Sequence, residues 1–87
     1  MAYAIQIMPS ALRALGRLPK PLQERIRDRI DALAAVPRPP GVAKMAGPEA
    51  LYRIRVGDYR IIYEIRDEVL VVLVVRIGHR KAVYRGR

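Results

Sequence analysis

Three arginines, Arg53, Arg55 and Arg60, fall within eight positions of the stretch "LYRIRVGDYRIIYEI", residues 51–65. A guanidinium stays charged at any ordinary pH and offers a rigid fork of donors that fits a phosphate or a carboxylate. Such a set can hold an anion, but it cannot act as a base. The surrounding residues are apolar and β-branched, as strands prefer, and like charges facing each other across a sheet are destabilising. A solvated face explains scattered arginines at small cost. An anionic partner explains adjacent ones better.

The register follows from the turn. Gly57-Asp58 reads as a two-residue hairpin loop, and glycine in first place suits a type II′ turn. Val56 then faces Tyr59, Arg55 faces Arg60, Ile54 faces Ile61, Arg53 faces Ile62 and Tyr52 faces Tyr63. Because side chains alternate, Tyr52, Ile54, Val56, Ile61 and Tyr63 share a face that packs on helices. Arg53, Arg55, Arg60 and Glu64 share the other. If "RDE", residues 66–68, is a three-residue turn, Arg76 and Arg80 join the cationic face. That placement spares Arg76 an unpaired charge on the core side, and a β-bulge would change the count.

The elements that hold this hairpin are legible in outline. "YAIQIM", residues 3–8, alternates like a strand. Ser10 is placed to cap a short helix carrying Ala11, Leu12, Leu15 and Leu18, which Pro19 ends. Pro21 opens a second helix, with Leu22, Ile26, Ile30 and Leu33 as its apolar stripe. "PRPPG" stops that helix near Val36. Residues 37–50 read as a loop, followed by strands over 51–56, 59–65 and 69–77. The expected fold is α+β: an N-terminal strand, an antiparallel helical hairpin, then a three-stranded antiparallel meander with the helices on one face.

Composition narrows the classes. Eighty-seven residues allow one domain, 1–87. The chain has no cysteine and one histidine, so neither a disulfide framework nor a thiolate or multi-histidine metal site is expected, and no cofactor. The longest apolar run, "VLVVLVV", has seven residues, far below the roughly 20 that span a bilayer. The start lacks a signal-peptide pattern. A cytoplasmic protein without a membrane partner is expected. Seventeen cations, fourteen of them arginine, against eight carboxylates leave a net charge of +9. That balance suits a polyanionic partner, although a GC-rich genome also enriches arginine.

The residues "YAIQI", "ALRALGRLPK", the "K..G" loop, "LYRIRVGDYRIIYEI" and "VVRIGHRKAVY" together resemble the RelE/ParE toxin superfamily, specifically its RelE branch, over nearly the whole chain. The resemblance implies the toxin of a type II toxin–antitoxin system, paired with a RelB-like antitoxin. It implies a metal-independent endoribonuclease that enters the ribosomal A site and cuts mRNA, with the substrate 2′-hydroxyl as nucleophile. Carried onto this sequence, the motif falls at Arg53, Arg55, Arg60, Arg80 and Tyr84. Arginines aimed at the phosphorane stabilise its charge, the expected role of Arg60 and Arg80. A tyrosine stacks on a base, the expected role of Tyr84, whose bland alternative is a tail anchor. Arg53, Arg55, Arg76, Lys81 and Lys44 are expected to hold RNA.

This chain departs from relatives that carry lysine where it has Arg53 and Arg55. His79, the side chain that titrates near neutrality, and Glu64 are then the candidate bases, with a hydrogen-bonding surface role as the alternative for His79. A ParE-like inhibitor of DNA gyrase without nuclease chemistry would share the fold, as would a general RNA-binding module or an inactive relic.

Overall fold

The computed structural model describes residues 2–47 and 50–81. The elements run β1 (Ala4–Ile7), α1 (Pro9–Gly16), α2 (Lys20–Ala32), β2 (Ala43–Lys44), β3 (Leu51–Val56), β4 (Tyr59–Arg66) and β5 (Val71–His79). The sheet has five strands in the order β1-β5-β4-β3-β2. Only the β1–β5 pair is parallel.

The helices start on proline rather than on a side-chain cap. Pro9 occupies the first turn of α1 behind Met8, so Ser10 lies inside the helix and does not cap it. A proline at that position gives up no hydrogen bond, because the amide there has no partner in the helix. α2 likewise begins behind Pro19 and carries Pro21 in its first turn. It ends at Ala32, short of Val36.

Both helices cover one face of the sheet. Leu15 of α1 and Ile26, Ile30 and Leu33 around α2 meet Ile54, Val56, Ile61, Tyr63, Val72, Val74 and Ile77 in one buried cluster. Burying such side chains is worth about 1.5–3 kcal/mol each, and this cluster fixes which face of each strand looks inward.

The β3–β4 register is the expected one at all five pairs, from Val56↔Tyr59 to Tyr52↔Tyr63. Gly57 has φ +61°, and Asp58 does not join it in the left-handed region, which is the type II′ pattern. Three expectations need correction. The segment read as a loop over 37–50 contains β2, which pairs with Tyr52 and Arg53. The β4–β5 turn has four residues, 67–70, rather than three, and Leu70 takes φ +56° there. β5 therefore starts at Val71 and runs on to His79.

A four-residue turn alone would swing Arg76 to the core side. The register shifts where Tyr63 pairs with Val74 but Ile62 pairs with Arg76. Val75 is the extra residue of this bulge, and it restores the parity. Arg76 reaches the expected face by two compensating steps.

The far end of the sheet is tied by a polar lock. Arg38 donates to both oxygens of Asp67, at 3.3 and 2.9 Å, and its Nε donates to the Tyr52 hydroxyl at 3.2 Å. Tyr3 donates to the same Asp67 at 2.5 Å. Tyr52 stacks on Tyr63, whose hydroxyl donates to the Pro37 carbonyl at 2.8 Å. β1, the proline-rich loop and the 67–70 turn are thereby joined at one point.

Candidate functional site

The face of the sheet away from the helices carries the arginines in two rows. Nearest the hairpin turn, Arg55, Arg60 and Gly78 stand side by side on β3, β4 and β5. In the next row stand Arg53, Ile62 and Arg76, with Ala43 of β2 beyond Arg53. Ile62 is only 2% exposed and lies outside the main core cluster. It gives the arginine stems an apolar floor to lie along.

Arg60 departs from a solvated face. It is 9% exposed, the one charged residue buried among the described residues, and its Nε has no hydrogen-bond partner. Among the described residues no carboxylate pairs with Arg60. An arginine cannot shed its charge. Removing an ion from water costs several kcal/mol unless an opposite charge compensates it. Beside it on β5, Gly78 presents no side chain, and glycine inside a strand often marks close approach of another molecule. An anion seated here would meet one desolvated guanidinium, flanked by Arg55, and would be held more strongly than in open water.

The other expected site residues divide. Arg80 lies one residue past β5, and its amide donates to the Asp58 carbonyl at 2.8 Å. The hairpin turn thus fixes its backbone near the Arg55–Arg60 row. Arg53 and Arg76 flank Ile62, as described. Tyr84 lies outside the described residues.

Lys44 is in register with Tyr52, which puts it on the helix side of the edge strand and away from the arginines. Lys81 is exposed, and its amide donates to His79 Nδ1 at 3.2 Å. His79 is in register with Tyr59 and meets that ring edge-on at 5.6 Å. Tyr59 packs on the core cluster, so His79 stands on the face opposite Arg60. Glu64 shares the arginine face, but it accepts from Arg66 Nε at 2.8 Å. Neither candidate base stands at the Arg55–Arg60 row. Among the described residues no cluster of three His, Asp or Glu side chains could hold a metal ion.

Arg29 was not anticipated. It projects from α2, and its Nη1 donates to the Arg55 carbonyl at 3.2 Å. β2 pairs only with Tyr52 and Arg53, so this bond takes over where the edge strand stops. The apolar period of α2 marks Arg29 as outward-facing but carries no sign of the carbonyl it reaches.

The chain is thus an α+β protein with helices on one side of its sheet and a buried arginine on the other. The chain belongs to the family described as "ParE toxin of type II toxin-antitoxin system, parDE", which matches residues 5–84. Within that superfamily it is of the RelE type. The mRNA interferase toxin RelE of Escherichia coli K12 is 28% identical over 83 residues, 93% of this chain and 86% of that protein. Toxin RelG of Mycobacterium tuberculosis is 29% identical over 86 residues, 98% and 99% of the two chains. The RelE of the archaeal RelE–RelB complex from Pyrococcus horikoshii superposes with a TM-score of 0.83 at 32% identity, over 94% of this chain and 99% of that one.

Proposed function

We propose that this toxin is an endoribonuclease that cuts mRNA in the ribosomal A site, and that a RelB-like antitoxin holds it in check. The observation that carries the reading is Arg60, buried on a face of arginines and without a counter-charge among the described residues. Relatives named mRNA interferase and solved RelE–RelB complexes support the same reading.

The chemistry follows from the inventory. The 2′-oxygen attacks the adjacent phosphorus, the bond from phosphorus to the 5′-oxygen breaks, and a 2′,3′-cyclic phosphate and a 5′-hydroxyl result. Solvent water takes the proton of the 2′-hydroxyl and supplies one to the leaving 5′-oxygen. Arg60 meets the extra negative charge of the phosphorane, with Arg80 assisting from the end of β5. Losing one such donor costs about 100- to 1000-fold in rate. Arg53, Arg55 and Arg76 hold the neighbouring phosphates, and Tyr84 stacks on a base. His79 and Glu64 are turned to other partners, so the 2′-proton leaves without their help. This reaction draws on no metal. Positioning is worth about 7–11 kcal/mol, and a small sheet face imposes little bend on free RNA. The ribosome supplies it.

The test is to induce the protein in cells and map RNA ends. Cuts inside translated codons, lost in Arg60→Ala, support the reading. The match to a ParE family favours one other reading, inhibition of DNA gyrase. DNA damage with intact mRNA would establish that reading instead.

A further inference from the structure

The arginine face does not end at the edge of the sheet. Arg55 belongs to two surfaces at once. Its side chain stands on the outer face in register with Arg60, while its carbonyl, at the edge of β3, accepts from Arg29 of α2. Past Arg53 no strand among the described residues covers this edge, because β2 ends its pairing there. Around the corner lies an open cleft of about 320 Å³, lined by Arg25, Asp28 and Arg29 of α2 and by Val56 of β3.

Arg25 and Arg29 are one helical turn apart and so share a side of α2. Asp28 lies in the same cleft, yet no ion pair joins it to either arginine among the described residues. The cleft therefore keeps two guanidiniums against one carboxylate, over an apolar floor. The cationic residues thus continue from Arg60 and Arg55 on the outer face to Arg29, which reaches the Arg55 carbonyl, and Arg25 in the cleft. A polyanion lying on the outer face meets this path where it leaves the face.

We propose that the cleft binds a backbone phosphate of the same RNA strand, flanking the nucleotide held at the Arg55–Arg60 row. This rests on the RNA reading of the outer face. Arg29 spends one donor on the Arg55 carbonyl and keeps the rest of its fork for the phosphate, with Arg25 completing the grip. The contact tracks the backbone and carries no base information, as phosphate contacts generally do. It lengthens the footprint of the site and fixes the direction in which the strand leaves β3.

The test uses single-stranded RNA made uncleavable by 2′-O-methyl groups, as a dinucleotide and as an octamer, titrated from 50 to about 300 mM salt, the range over which such contacts weaken. Two variants are combined: Arg25→Ala, and Arg29→Gln, which keeps a donor for the Arg55 carbonyl. Melting curves confirm that the double variant is folded. The expected result is that it binds the dinucleotide like wild type but the octamer about tenfold more weakly. The octamer's salt slope should fall by about 0.7, the value of one lost phosphate contact on a single strand. Unchanged octamer affinity and slope in the double variant overturn the cleft and leave the outer face standing. Octamer binding by wild type without any salt dependence overturns both. If octamer binding is unchanged while an oligo-glutamate peptide is lost, the cleft is a protein-docking surface and the proposal is wrong.

Discussion

Arg55 and Arg60 stand directly opposite each other on β3 and β4, yet one is exposed and the other is buried. The exposed member has water to screen it. The buried member is shielded from water and pairs with no carboxylate among the described residues. Their pairing costs the folded state, and an anion bridging them would offset that cost.

The first prediction separates stability from function at that site. Arg60→Met should raise the melting temperature, because it replaces a desolvated charge by an apolar side chain of similar length. A gain of about 1 kcal/mol corresponds to roughly 4–8 °C in a chain of this size. The same variant should lose 100-fold or more of its cleavage rate. A drop in melting temperature would show that Arg60 is compensated within the fold.

His79→Gln should leave single-turnover cleavage within about twofold of wild type at every pH, since the ring faces Tyr59 on the helix side. A general base contributes about 100-fold or more. A loss of that size, with disappearance of a pH dependence near neutrality, would restore His79 to the mechanism.

The polar lock should give the fold an acid-sensitive element. Arg38, and then Tyr3, hold the Asp67 carboxyl below its ordinary pKa. A carboxyl whose folded pKa is depressed stabilises the fold above its unfolded value, about 3.9, and that contribution disappears as pH falls through the folded one. Melting temperature should therefore fall less steeply below pH 4 in Asp67→Asn than in wild type. Parallel curves would assign the lock no role in stability.

Tyr63 gives the opposite sign. Burial pushes its hydroxyl up to about 12, against about 10 for a free tyrosine. The folded state holds this proton more tightly. The contribution is complete below pH 10 and is lost as pH rises through 12. Tyr63→Phe should cost about 1 kcal/mol at neutral pH, through the bond to Pro37, and should flatten alkaline unfolding between about pH 10 and 12. Identical alkaline profiles would refute the assignment.

The β3–β4 register was legible because Gly57 at the head of a two-residue loop leaves one pairing, and a period of two then assigns every side chain. The parallel partner of β1 was not legible, since nothing local to "AIQI" says which distant strand it joins. β2 is two residues long and carries no period. Arg76 shows how parity can conceal error: the turn is one residue longer than expected, and the bulge at Val75 adds one more. Arg60's burial had a single hint. Ile62, an apolar residue two positions on, shares the arginine face by the period of two, and an apolar side chain there marks a floor shielded from water.

The most direct measurement of the central claim is single-turnover cleavage of one short mRNA, free in solution and held in a programmed ribosome, by wild type and by Arg60→Ala at equal enzyme. Wild type should cut the ribosome-bound message far faster than the free one, and Arg60→Ala should lose about 100- to 1000-fold on the ribosome. Equal rates on the two substrates, or an Arg60→Ala protein that cuts like wild type, would contradict the account.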